Sequence, residues 1–317
     1  MAAVTRQRSV EPELHWTDHY AKYGFAIVPA VLDADYIDEA QSEVRRLVGN
    51  GLPFDQWTAE NVPITSSSGR VDASESDDST KSLTDEHRQH QPDRLGDSNY
   101  HGGILHWSSP GGDDTPVLNR VYDQPRVRAA IDEMFGSSDL FNDERNFSLF
   151  IKPYGSNATR ALNPVGHVDF VKKPIPIFGS GTPFQVSLVD KEPLGGNISV
   201  WPGTHRLVQK CLIGNPDWQY PTNWEDIPTG APFEFVPAAG DMMFIHHLVA
   251  HAGNTCCTRM PRVSLHCSAF QNEWVTEVDP AQPGLSPLLR GLAQNGRYKL
   301  PFNEEEKIRT YAATRSP

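Results

Sequence analysis

Hydrophobic positions recur along this chain with two periods, and the change from one to the other divides it. The first part is spaced for helices. Asp33 is placed to cap a helix in which Tyr36, Ile37, Ala40, Val44, Leu47 and Val48 share a face, and Gly49-Asn50-Gly51 ends it. The apolar stretch Tyr20 to Pro29 precedes it, and its Gly24-Phe25-Ala26-Ile27-Val28-Pro29 run reads as a strand stopped by proline. Residues 1–14 read as a mobile lead. A second helix is signalled by Gln124-Pro125, with Val127, Ala130, Ile131, Met134 and Phe135 on one side and Gly136 as its stop. Beyond it the period falls to that of strands, at 147–151, 184–189, 197–201, 233–236, 242–245 and 262–270. Short strands separated by Gly/Pro turns predict a sandwich or barrel.

One stretch has neither period. From Thr65 to about Gly96 the chain carries almost no apolar residues, so it cannot support a core; it reads as a solvated loop or a lid ordered by ligand. His101, His106 and Trp107 follow, as a pocket wall or as ordinary packing. The organisation expected is a single domain over 1–317. It has an N-terminal strand and helix (1–60), a polar insert (61–115), a β core (140–275) and a C-terminal tail (276–317).

Composition narrows the partners. A net charge of −12 argues against binding to nucleic acid or an anionic membrane surface. There is no apolar run long enough for a bilayer and no apolar leader after Met1, so a cytoplasmic protein acting on a small molecule is expected. Four cysteines, two of them adjacent at 256–257, make no disulfide framework. Oligomeric state is not legible.

The candidate chemistry lies in His167-Val168-Asp169 and in a later His and Arg. A His and a carboxylate two apart on a strand point to one face. A second His from a distant strand completes a two-His, one-carboxylate set that holds Fe(II) and leaves positions open, although zinc accepts the same ligands. His246, His247 and His251 compete for that third place on spacing alone, and His246 also suits the role of orienting a ligand. Arg262 presents a planar fork suited to a carboxylate, such as the far end of a keto diacid; solvent is the alternative destination, and Arg259 competes locally.

Four motifs taken in order resemble the phytanoyl-CoA dioxygenase family of iron(II)- and 2-oxoglutarate-dependent oxygenases. They are the opening strand and helix, His167-x-Asp169, Gly195-Gly196-Asn197-Ile198-Ser199-Val200-Trp201-Pro202-Gly203-Thr204-His205, and Gly240-Asp241, nine residues, His251, ten residues, Arg262. The resemblance implies a double-stranded β-helix (jelly-roll, cupin-like) core with flanking helices. It implies His167, Asp169 and His251 as ligands of Fe(II), and Arg262 as partner of the distal carboxylate of 2-oxoglutarate. It also implies O2 as co-substrate and release of succinate and CO2. The implied reaction is oxidation, most simply hydroxylation, of an unactivated C–H bond. Gln185 stands where many members place a tryptophan lining the co-substrate pocket, Gly253 where they often have serine, and Gly-Gly-Asn-Ile where Asn-Gly is usual. Asp169 is kept, unlike in halogenases. Lys152-Pro153 resembles a strand end that reaches the co-substrate, and His205 reads as part of a turn. The acidic insert lacks the basic cluster that favours CoA phosphates, which points to a small metabolite or natural-product intermediate. A redox-neutral cupin-like isomerase or hydrolase is the alternative class; it would have no need of Arg262.

Overall fold

The computed structural model describes residues 10–11, 13–48, 51–58, 61–62, 105–110, 115–136, 141–142, 146–154, 161–162, 166–168, 181–214, 230–271, 277–293 and 298–299. Two antiparallel sheets face each other. The larger runs β1 (Phe25–Val28), β8 (Met242–Ile245), β5 (Gly181–Ser187), β10 (Arg262–Gln271), β4 (Asn146–Lys152) and β2 (Leu105–Pro110), with β3 (Phe141–Asn142) against the far end of β10. The smaller runs β7 (Phe233–Glu234), β6 (Ile198–Val200) and β9 (His251–Gly253), and a bridge from His167 to His251 extends it. This is the expected jelly-roll, mainly β with flanking helices.

Strand alternation explains how the layers meet. On β8 the run Met-Met-Phe-Ile is buried on both faces. Met242 and Phe244 pack into the largest cluster with α2 (Ala34–Val48) and α4 (Pro125–Phe135), through Tyr36, Val44, Val127 and Ile131. Met243 and Ile245 turn the other way, to Ile198, Val200 and Phe233 of the small sheet, with Phe25 and Ile27 of β1 beside them. A strand covered on both sides needs a continuous apolar run.

The same alternation gives a different result on β4, β10 and β5. Their odd positions on β4 and β10 (Phe147, Leu149, Ile151; Val263, Leu265, Cys267) and Phe184 and Val186 of β5 feed the helix-backed core. The alternate positions, Ser148, Phe150, Lys152, Arg262, Ser264, His266, Gln185 and Ser187, therefore share the inner face. At this end the interior of the roll is polar.

Both predicted helices are present. α2 starts with Ile37 N–H donating to the Asp33 carbonyl, and α4 stops at Gly136, whose φ of 78° suits glycine. Three elements escaped the sequence reading. Trp16–Tyr23 is a helix, α1, ended by Gly24 at φ 80°, because Thr17, Tyr20 and Ala21 bury one face; Tyr20 belongs to it and not to the strand segment. Thr204–Gly214 is a helix, α5, so His205 begins a helix where a turn was expected. Leu105–Pro110 pairs with β4 from Leu105↔Ile151 to Pro110↔Asn146, placing His106 and Trp107 on an edge strand. The rest of the polar insert, 63–104 and 111–114, and residues 1–9 and 12 of the lead lie outside the described residues. Pro116–Asn119 (α3) and Pro287–Leu292 (α6) are two further short helices. Among the described residues no helix is long and apolar enough to cross a membrane.

Candidate functional site

His251 opens β9 between two neighbours. Val200 pairs with it on one side, and His167 bridges it on the other. The His167 and His251 backbones exchange two hydrogen bonds of 2.8 Å each, and their rings lie 4.4 Å apart between centroids. His167 is exposed and His251 half-buried, so the pair faces an accessible space. One packing contact and three hydrogen bonds hold it. A Cβ on Gly166 would meet Trp201 Cζ3 at 2.5 Å, so only a residue without a side chain lets the 166–167 backbone lie on that indole. Trp201 donates its N–H to the Ala250 carbonyl at 2.9 Å. Thr204 Oγ1 donates to the Trp201 carbonyl (2.7 Å) and accepts from Ala250 N–H (2.8 Å).

The donor chemistry fits a divalent metal. His251 Nδ1 lies 3.1 Å from the Val249 carbonyl. Donation there puts the proton on Nδ1 and leaves the Nε2 lone pair for a metal. Asp169 lies outside the described residues. Among those described, no group of three or more His, Cys, Asp or Glu side chains is placed to hold a metal ion, as expected when the carboxylate is not among them.

The competing histidines sit elsewhere. His246 and His247 are buried with rings 4.6 Å apart, and His205 is buried 5.0 Å from His246. Burial holds His246 well below the ordinary imidazole range and His205 down at about 3, so both are neutral. It is His251 that bridges His167.

Arg262 starts β10 on the polar inner face and is buried, not solvated. Its Nε donates to Ser264 Oγ (3.1 Å), and its Nη2 donates to Gln185 Oε1 (3.1 Å) and to His266 Nε2. No carboxylate is among these three partners, and the Phe150 ring lies 5.6 Å from the guanidinium carbon. Burial brings the guanidinium down to about 10. A Cβ on Gly253 would lie 3.6 Å from Nη1, so that edge of the fork faces the end of β9. Lys152, also buried, is the cross-strand partner of Arg262; burial first, then Arg262, lowers it to about 8.

His251 and Gly253 are two apart on β9, hence on one face and roughly 7 Å apart. The His251 imidazole and the buried guanidinium edge beside Gly253 therefore lie along one face of β9. Gln185, expected to line the co-substrate pocket, holds the guanidinium from behind through its carbonyl oxygen. Ser264, His266 and Phe150 were not singled out from the sequence. The alternation Arg262-Val263-Ser264-Leu265-His266 would have shown the first two, because it places every polar residue on the face of Arg262; Phe150 comes from the neighbouring strand β4.

The chain matches one family model and shares its fold with several solved structures. The family model described as phytanoyl-CoA dioxygenase (PhyH) matches residues 20–264. Among solved structures, the α-ketoglutarate-dependent epimerase SnoN from nogalamycin biosynthesis superposes with a TM-score of 0.52 at 18% identity, covering 80% of this chain and 81% of that one. The complex of SnoN with Fe3+, α-ketoglutarate and nogalamycin RO superposes at 0.51 and 20%, covering 80% and 82%. The carbocyclase SnoK from the same biosynthesis gives 0.52 at 13%, covering 85% and 87%. At these identities the likeness is one of fold. A search of curated proteins finds no match.

Proposed function

Given that the chain belongs to the phytanoyl-CoA dioxygenase family, and is thus a 2-oxoglutarate-dependent non-haem iron enzyme using Fe(II), 2-oxoglutarate and O2, we propose that His167, Asp169 and His251 hold the iron. In the same reading Arg262 anchors the distal carboxylate of the co-substrate. Iron so bound, with 2-oxoglutarate and O2, supplies the oxidising power to take hydrogen from an unactivated C–H bond, with succinate and CO2 released. The observation that carries the reading is the His167–His251 bridge, with a buried guanidinium edge beside Gly253 on the same face of β9.

The protein's own groups bind and orient. His251, with Nδ1 tied to Val249, presents Nε2 to the metal. Arg262, fixed by Ser264, Gln185 and His266, keeps Nη1 directed at the co-substrate end, and Gln185 lines that pocket. Phe150 and the buried strands around it exclude water from the guanidinium. The substrate enters over the exposed His167 side. Residues 1–317 act as one catalytic unit, with 61–115 as an insert beside it.

Hydroxylation of a small metabolite or natural-product intermediate is the simplest outcome. Epimerisation and ring closure, the reactions named for SnoN and SnoK, are variations on the same hydrogen removal. The acidic insert disfavours a CoA thioester. The test is an anaerobic titration of metal-free protein with Fe(II) and 2-oxoglutarate, following the visible charge-transfer band. A band in wild type, absent in His167→Ala and needing more 2-oxoglutarate in Arg262→Ala, is expected. Metal bound at one equivalent without any band overturns the site.

A further inference from the structure

The residue behind the metal-facing histidine is itself a histidine. Between β8 and β9 the chain crosses from one sheet to the other through His246-His247-Leu248-Val249-Ala250, all five buried. A buried crossing must satisfy its backbone polar groups locally. Here His246 does so with both its backbone and its ring. Its N–H donates to the Gly24 carbonyl (2.8 Å), its carbonyl accepts from Val249 N–H (2.8 Å), and its ring Nδ1 accepts from Leu248 N–H (3.1 Å). Thr204 secures the next residue by accepting from Ala250 N–H at 2.8 Å. The group fixed between these anchors is the Val249 peptide, whose carbonyl faces His251 Nδ1 at 3.1 Å.

We propose that His246 is a positioning residue for the metal site: its Nδ1 lone pair holds the 246–250 turn so that the Val249 carbonyl sets the tautomer and ring orientation of His251. This rests on the reading of His251 as a metal ligand. The role demands an acceptor at the Nδ1 position and a neutral ring, and burial among His205 and His247 keeps the ring neutral. Leu248 N–H is a donor, so an imidazolium at 246 would set two donors against each other. Nε2 then carries the proton, and it has no hydrogen-bond partner among the described residues. That atom points to orientation, not ligation, because a protonated Nε2 and an engaged Nδ1 leave no lone pair for a metal. Gly24 and Gly291 pack against the same histidines: a Cβ at Gly24 would meet His205 Nδ1 at 2.5 Å, and one at Gly291 would meet His246 Cδ2 at 3.4 Å. The rings are thereby confined to one placement.

The test uses chemical mimicry of one ring nitrogen. An asparagine places its carbonyl oxygen near the Nδ1 position, whereas a glutamine reaches toward Nε2. His246→Asn, His246→Gln and His246→Leu are compared with wild type and His251→Ala for Co(II) affinity by calorimetry and for the Co(II) visible spectrum. His246→Leu and His246→Gln are expected to bind Co(II) roughly 10–100-fold more weakly, the usual effect of losing an outer hydrogen-bond partner. His246→Asn should return to within about threefold of wild type on the same ground, with the wild-type spectrum. Thr204→Val against Thr204→Ser tests the other anchor of the turn should the leucine variant not fold; only the valine variant should lose affinity and change the spectrum. If wild type binds Co(II), His251→Ala does not, and all folded variants at 246 and 204 match wild type, the positioning role is wrong while the metal site stands. If wild type itself binds no Co(II), the reading of the site fails and the inference with it.

Discussion

Replacing Gly166 by alanine should damage the metal site while leaving the rest of the molecule folded. The added Cβ would stand 2.5 Å from Trp201 Cζ3, 2.9 Å from Cε3 and 3.2 Å from Cη2, inside ordinary contact by up to about 1 Å. Something must move. The indole is 2% exposed, and its backbone is held by the Ala250 carbonyl and the Thr204 hydroxyl, so the ring is the stiffer party. The 166–167 backbone gives way instead, carrying His167 with it and straining the 2.8 Å bridge to His251. Overpacking of this kind costs about 1–3 kcal/mol. For a chain of 317 residues that lowers Tm by roughly 1.5–5 °C. A ligand whose orientation is disturbed should bind metal roughly 10–100-fold more weakly. Calorimetric titration with Co(II), beside thermal unfolding of the metal-free protein, reads both. Pairing the change with Trp201→Leu, which opens the space of the benzo ring, should restore affinity without restoring Tm. A Gly166→Ala protein with wild-type Tm and wild-type Co(II) affinity would refute the reasoning, because it would mean that the close approach does not position His167.

Three further outcomes follow from the interior. Gly253→Ser sets a Cβ 3.6 Å from Arg262 Nη1, ordinary contact, and its hydroxyl should tighten 2-oxoglutarate binding about fivefold through roughly 1 kcal/mol of hydrogen bonding, read by calorimetry on the Ni(II) form. Lys152 falls from 10.5 to about 8 on folding, so between those pH values the unfolded chain binds the extra proton and stability rises with pH. The full penalty, on the order of 3 kcal/mol, is present below pH 8. Lys152→Met should therefore stabilise the protein at pH 7 and reduce the slope of urea stability above pH 8, leaving the part due to Lys191, which burial also lowers to about 8; an unchanged slope sinks this assignment. His205 falls from 6.5 to about 3, so stability is lost as pH drops below 6.5. His205→Gln, whose amide nitrogen can keep the bond that Nε2 makes to the Ala21 carbonyl, should move the acid-unfolding midpoint in far-UV circular dichroism to lower pH.

Much of the fold was legible because strands and helices of this chain obey their own periods. Met242 to Ile245, Arg262 to Phe270 and the α2 face needed no more than counting. What was not legible is instructive in physical terms. α1 was hidden because its buried face is made of Thr17, Tyr20 and Ala21, too mixed to stand out, and its stop at Gly24 doubles as the start of a strand. α5 was hidden because Pro202-Gly203 announces a turn, and Thr204 then enters the helix while its hydroxyl turns back to Trp201 and Ala250. Choosing His251 over His246 and His247 needed the family resemblance; spacing says nothing about which ring meets His167, whereas the bridge does. The support of Arg262 by Gln185 depends on β5 and β10 lying side by side, a neighbourhood that no local pattern encodes.

The pairing of β1 with β8 has a consequence during synthesis. Phe25 pairs with Ile245 and Val28 with Met242, so the first strand of the chain waits for a partner translated more than 200 residues later. Until then a run of four apolar residues has no place in a sheet, and it ends up on the outer edge of the larger one. Closure over so long a loop is slow, and apolar strands left open in the meantime invite association. The ribosome must extend the chain past Ile245 before β1 can dock along its full length. Recombinant yield should therefore depend on temperature and chaperone supply more than on any single contact in the finished protein.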